Sequence, residues 1–94
     1  METRVALLGI MVERAESVEE LNRILHSYSA YIIGRMGIPY HKRKVNVISI
    51  ILDAPTNVIS SVSGKIGRLP GVTSKVLYAK TSQDDKENGR PLGE

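Results

Sequence analysis

Few side chains in this sequence of 94 residues could hold a metal ion or attack a substrate. The chain has two histidines and no cysteine, so its composition excludes a thiolate zinc site, an iron–sulfur ligand set and a cysteine nucleophile. His41 is a candidate metal ligand with Glu13 or Asp53 as its partner, but a metal site normally takes three or four ligands. We therefore predict no metal site, and any cofactor is unknown from the sequence.

The pair Gly64-Lys65 suggests a phosphate-binding loop, but the residues around it exclude one. A P-loop needs a glycine five residues before its second glycine and a Ser or Thr directly after the lysine. Ile59 and Ile66 occupy those two positions. The pair is better explained by close packing of a helix, with the lysine in solvent.

Positive charge is concentrated in one segment. Arg35 and the run His41–Lys44 form the strongest basic cluster, and residues 1–80 hold 11 Lys and Arg against 6 Asp and Glu. A nucleic-acid surface would also need aromatic side chains on which bases stack. Tyr31 and Tyr40 lie near the basic cluster, but the central strands lack exposed aromatic residues. Nucleic-acid binding through this basic segment is therefore kept only as an alternative.

The hydrophobic pattern predicts six elements and a tail. Val5–Val12 is an unbroken apolar run, which is typical of a strand buried on both faces. Ser17-Val18-Glu19-Glu20 has the form of a capping box, in which the serine hydroxyl accepts a backbone N–H. The predicted elements are a strand over 4–13, a helix from 17 to about 28, a strand over 30–40, a basic turn over 41–44, a strand over 45–53, a helix from 54 to about 68 and a strand over 71–80.

This order, βαββαβ, predicts an α+β fold: a ferredoxin-like sandwich with a four-stranded antiparallel sheet and two helices on one face. Residues 1–80 would form the domain. Residues 81–94 are polar and carry no apolar period, so we predict a mobile tail there.

In this fold the first and third strands lie at the centre of the sheet, and these two strands read as apolar on both faces. The helices can cover only one face, so the other would leave a large apolar patch in water. A domain of this size buries only about 60–65% of its unfolded surface. We therefore predict self-association, as a dimer or tetramer, through the open sheet face and the strand edges.

Catalysis has little support in the sequence. No Ser-His-Asp arrangement is evident, and an acylphosphatase, a small enzyme of the same fold, needs a glycine-rich anion loop after its first strand. This chain has Glu13-Arg14-Ala15-Glu16 there. We predict that the protein is not an enzyme.

Two segments resemble a known family. Residues 34–40, Gly-Arg-Met-Gly-Ile-Pro-Tyr, and residues 63–72, Ser-Gly-Lys-Ile-Gly-Arg-Leu-Pro-Gly-Val, are similar to the small proteins named iron-only hydrogenase system regulators. The resemblance covers about residues 4–80. It implies an ACT-like regulatory domain that forms oligomers and is linked to hydrogenase assembly or expression. It supplies no ligand residues, and the His and Cys set of the related nickel-responsive regulator is absent.

The leading functional prediction is a regulatory module that binds a small-molecule effector as a homo-oligomer. We place the effector site where the loop at Glu13 and Arg14 would meet the second strand at Gly34, Arg35 and Gly37. Glycine permits a ligand to approach the backbone, and an arginine can bind a carboxylate. In the alternative interpretation the two glycines relieve crowding at a subunit interface, and the protein is a structural interaction module without an effector.

The location of the protein is predicted from what the chain lacks. The apolar run Val5–Val12 is too short for a membrane span and is followed at once by Glu13 and Arg14. We predict a cytoplasmic protein that does not bind membranes.

Overall fold

The computed structural model describes residues 2–80, so the predicted tail over 81–94 lies outside the described residues. Short 3-10 turns at Ala15–Ser17, Ser29–Tyr31 and His41–Arg43 precede α1, β2 and β3. The main elements are β1 (Arg4–Val12), α1 (Val18–Ser27), β2 (Ile32–Tyr40), β3 (Val45–Ala54), α2 (Thr56–Gly67) and β4 (Val72–Tyr78).

The four strands form one antiparallel sheet in the order β2-β3-β1-β4. The two strands with apolar residues on both faces, β1 and β3, lie at its centre, as the sequence predicts. Leu7 pairs with Ile51 on one side and with Leu77 on the other. The α+β, ferredoxin-like fold is confirmed.

The core lies between one face of the sheet and the two helices. Alternate residues of the central strands point into it, because successive side chains of a strand project to opposite faces. Helix α1 contributes Leu21, Ile24 and Leu25, and α2 contributes Ile59, Val62 and Ile66. The strands contribute Ala6, Leu8, Ile10, Val12, Ile48, Ile50, Leu52, Ala54 and Val72.

A β-bulge near the start of β2 decides which face each of its residues occupies. Ile32 pairs with Leu52, whereas Gly34 pairs with the next residue of β3, Ile51, so Ile33 is the extra residue. The side chain of Ile33 is 63% exposed. Gly34 directly follows the bulge, and no atom lies within 4 Å of where a Cβ on it would be. The chain itself therefore has room for a side chain there.

The capping box predicted at Ser17 is wrong. Ser17 ends a 3-10 turn with helical angles, φ −86° and ψ −8°, and its side chain makes no cap hydrogen bond. A capping serine needs an extended backbone to reach the first N–H groups of the helix. Instead its hydroxyl donates to the carbonyl oxygen of Pro70 at 2.6 Å. Glu20, the expected partner in the box, forms an ion pair with Arg23.

Candidate functional site

The face of the sheet opposite the helices is a largely apolar surface, which we call the open face. Among its large apolar residues, Leu77 is 67% exposed and Met36 is 61% exposed. The register places two apolar rows on it, separated by a row that contains Lys75, Gly9 and Ser49. The apolar residues of the open face are Val5, Leu7, Met11, Met36, Ile38, Tyr40, Val45, Val47, Ile51 and Leu77.

The open face carries little charge. Within the described strands, the register assigns two charged side chains to it, Asp53 opposite Val5 and Lys75 opposite Gly9. Their charges are opposite, so this face has no net charge to repel an identical copy. A nucleic-acid surface would need a marked excess of positive charge.

The area of the open face is close to the lower limit for a specific protein–protein interface. Four strands of about nine residues, with spacings of about 4.8 Å between strands and 3.3 Å along them, cover roughly 570 Å². This is the area of the whole face, with polar residues such as Ser49 and Lys75 included, and apolar patches of a few hundred Å² on small proteins are often functional. Two such faces in contact would bury about 1,100 Å² in total, just above the roughly 1,000 Å² expected of a specific interface.

A second candidate site is a concavity of about 460 Å³ at the end of the sheet where β1 and β2 finish. Glu13 lines one side, and the turn after β2 lines the other with His41 and Lys44. The remaining lining residues are Val12, Ala15, Tyr40, Val45 and Asn46. A carboxylate, an imidazole and an ammonium group around one cavity are suited to a small polar ligand.

The loop that borders this concavity is held by the turn between α2 and β4. The backbone N–H of Glu13 donates to the carbonyl oxygen of Gly71 at 2.8 Å. Gly71 has a positive φ of 69°, and a Cβ there would come within 3.0 Å of three side-chain atoms of Arg14. Any other residue at position 71 would therefore force the Arg14 side chain to move. Together with the hydroxyl of Ser17, these contacts fix the positions of Glu13 and Arg14.

The structure does not bring all five predicted effector-binding residues together. Gly37 pairs with Ile48, which also pairs with Ile10, so Gly37 lies three residues, roughly 10 Å, from Glu13 along the strand direction. By the same measure Gly34 lies roughly 20 Å away.

Arg35 faces the helices, whereas its neighbour Gly34 belongs to the open face. The Arg35 guanidinium donates to Oδ1 of Asn22 on α1 at 2.6 Å. Effector binding stays a prediction, both for Glu13 and Arg14 and for the three residues of β2. Of the residues that accompany Glu13, His41 was considered only as a metal ligand, and Tyr40 and Lys44 were missed as members of an effector site. The pairing of Tyr40 with Val45 in a hairpin could have indicated them.

His41 lies on the same concavity as Glu13, whereas Asp53 belongs to the other end of β3. No group of three or more His, Asp or Glu side chains converges within residues 2–80. The described residues thus offer at most a His–Glu pair at this end of the sheet.

The comparison with known proteins decides the family. Residues 4–76 match the family described as "TM1266-like: Iron-only hydrogenase system regulator, putative". The chain belongs to this family. The resemblance of segments 34–40 and 63–72 is therefore confirmed. No curated protein matches the chain.

A solved structure supports the same assignment. The chain is similar to the uncharacterized protein TM1266 from Thermotoga maritima, with 31% sequence identity and a TM-score of 0.81. The match covers 84% of this chain and 100% of that one. The family region includes the whole open face except the last residues of β4, as well as the concavity at Glu13.

The outer surface of the helices in this family member carries one polar cluster. Lys65 donates to the hydroxyl of Tyr28 at 2.8 Å, and that hydroxyl lies 3.3 Å from Oγ of Ser61. The hydrogen bond from Lys65 lowers the pKa of the Tyr28 phenol. The cluster joins α1 to α2 at the surface. Within residues 2–80, no helix is long and apolar enough to span a membrane.

Proposed function

We propose that this protein is a regulatory module of an iron-only hydrogenase system that works as a homo-oligomer, with a second copy of the chain covering the open face. The family match supports the regulatory role in an iron-only hydrogenase system. The open face supports the homo-oligomer, because large apolar side chains such as Leu77 and Met36 are more than half exposed there.

A second copy is the occupant that the surface favours. The face is apolar and carries one positive and one negative side chain, Lys75 and Asp53, so it is self-compatible. Its estimated area, about 570 Å² per copy, is enough for a modest two-fold interface. A domain of this size has a small hydrophobic core. Self-association would bury additional apolar surface.

An effector would act by favouring one packing of the copies over another. We propose the concavity at Glu13 for it, because Tyr40 belongs both to its lining and to the open face. Arg14, the next residue of the loop, lies against Gly71 and does not line the concavity. A ligand that moves Tyr40 would therefore alter the surface on which the second copy packs. Along β2, Gly34, Arg35 and Gly37 remain the alternative binding residues.

The oligomer is tested by sizing with light scattering at micromolar concentration. We expect the wild-type chain to be a dimer or tetramer and Leu77→Glu to be a monomer of about 10.4 kDa. Leu77 is already 67% exposed, so its replacement leaves the monomer fold intact, which circular dichroism checks. Ser60→Glu, an exposed site on α2, is the matched control and keeps the wild-type mass. A wild-type chain that is monomeric at this concentration refutes the proposal.

The effector is tested separately by thermal shift against amino acids, nucleotides and divalent metal ions, at fixed protein concentration. A ligand that binds the folded state raises the unfolding midpoint. Glu13→Gln should reduce the shift caused by a ligand of the concavity. Arg35→Gln should reduce the shift only if the β2 residues bind the ligand. No shift with any of these ligands would favour the structural interaction module over an effector-binding one.

A further inference from the structure

Within residues 2–80, both sulfur atoms lie on one surface, the open face. The sequence has no cysteine and three methionines. Two of them, Met11 on β1 and Met36 on β2, lie on the open face and are 48% and 61% exposed. Met11 pairs with Val47, and Met36 pairs with Ser49. The core residues of the described chain contain no methionine.

We propose that Met11 and Met36 are oxidation sites, and that their conversion to methionine sulfoxide by a peroxide separates the copies of the chain. This inference rests on the proposed homo-oligomer. In the reaction with hydrogen peroxide, the O–O bond breaks and one oxygen forms an S=O bond with the thioether sulfur. The other oxygen leaves as water, and the sulfur is oxidised by two electrons while the peroxide is reduced.

The consequence follows from the surroundings of the two sulfur atoms. A thioether is apolar and packs well against aliphatic side chains, whereas a sulfoxide is polar and chiral and disrupts such contacts. In the separate chain both sulfoxides would reach water. When a second copy covers the face, the new oxygen atoms lose that water among residues such as Val47 and Ile38, which offer no side-chain donor. One hydroxyl neighbours each methionine, Thr73 beside Met11 and Ser49 beside Met36, and a single hydroxyl replaces the lost water only in part. Oxidation therefore opposes association and leaves folding unaffected.

The same geometry makes the rate of oxidation depend on assembly. Both methionines are accessible in the single chain and covered in the oligomer, so the dissociated form is the one that reacts. Raising the protein concentration should slow the oxidation of Met11 and Met36. Methionine sulfoxide reductases reverse the modification, and the separated copies should then associate again.

The test compares the wild-type chain with a Met11→Leu, Met36→Leu double variant. Leucine has a similar volume and no reactive sulfur, so the double variant should keep its fold and its oligomer. Both proteins are treated with hydrogen peroxide, and peptide mapping by mass spectrometry counts the added oxygen at Met1, Met11 and Met36 separately. The dissociation constant is then measured by sedimentation equilibrium.

For the wild-type chain we expect a dissociation constant raised by about tenfold for each oxidised methionine of the open face. We expect no change in the double variant, and a return toward the initial value after treatment with the reductases. The unfolding midpoint, measured where both forms are monomeric, should not change.

Three results overturn the inference while leaving the proposed function intact. The oxidised wild-type chain could remain associated, the double variant could dissociate to the same extent, or Met11 and Met36 could resist peroxide at a protein concentration where the chain is monomeric. If the wild-type chain is monomeric before oxidation, that result refutes both the proposed oligomer and this inference.

Discussion

The contact between Ser17 and Pro70 gives the sharpest test of how the loop at Glu13 and Arg14 is held. A capping residue accepts a hydrogen bond, whereas the Ser17 hydroxyl donates one, to the carbonyl oxygen of Pro70 at 2.6 Å. Asp and Asn serve equally well as helix caps. Replacing Ser17 by each of them therefore separates the two roles, since the amide of Asn can donate and the carboxylate of Asp cannot.

The magnitudes follow from burial. Ser17 is 3% exposed, and Ser17→Ala should cost about 1 kcal/mol, the net value of one hydrogen bond. Ser17→Asp places a carboxylate against a carbonyl oxygen with little access to water. Such an uncompensated buried charge costs about 3–5 kcal/mol. Ser17→Asn should resemble Ser17→Ala or be more stable.

The cost of Ser17→Asp should depend on pH. Burial disfavours the charged form and raises the pKa of the introduced carboxyl above its unfolded value of about 3.9. The folded state then binds more protons than the unfolded state between the two pKa values, so relative stability falls as pH rises through that range. Below about pH 4 the protonated carboxyl can donate to Pro70, and most of the lost stability should return.

The assay is urea unfolding of wild type and the three Ser17 variants at pH 7 and pH 4, at one protein concentration. Stability differences are taken against wild type at the same pH, so that other titrating groups cancel. Equal stability of Ser17→Asp and Ser17→Asn at pH 7, within about 0.5 kcal/mol, would refute the donor role and restore the capping interpretation.

Three further predictions concern other parts of the fold. Gly71→Ala should destabilise the chain by about 1–3 kcal/mol in urea unfolding, because position 71 combines a positive φ with contacts below 3.0 Å. Lys65→Met should raise the pKa of the Tyr28 phenol toward its ordinary value, measured by ultraviolet titration against Tyr28→Phe, because the hydrogen bond that lowers it is lost. Gly34→Val should weaken self-association in sedimentation while leaving the monomer folded, since Gly34 has open space on the open face, and Gly37→Val on the helix side of the same strand is its control.

Each of these predictions has an outcome that contradicts it. An unchanged unfolding curve for Gly71→Ala would mean that the turn relaxes, and an unchanged titration of Lys65→Met would place the cause of the shift elsewhere. Equal effects of the Gly34 and Gly37 substitutions on association would remove the open face as the site of contact.

The candidate sites were less predictable than the fold. The sequence predicts the loop at Glu13 and the basic turn at His41–Lys44, but it leaves open whether Glu13 or Asp53 lies beside His41. The proximity of the loop and the turn comes from the antiparallel order of β1, β3 and β2, which brings the end of β1 beside the hairpin. The bulge at Ile33 then assigns Gly34 to the open face and Arg35 to the helix side, because one inserted residue exchanges the faces of a strand.

The sequence by itself determined the helices and strands and their order. The hydrophobic period and the positions of glycine and proline set the local backbone conformation over only a few residues. It also determined that β1 and β3 are central, because both are apolar on both faces. Only the tertiary structure decided the partner of Ser17, 53 residues away, and the neighbours of Glu13. Local sequence patterns indicate which side chains are buried. The atoms that these side chains contact depend on the register and packing of segments distant in sequence.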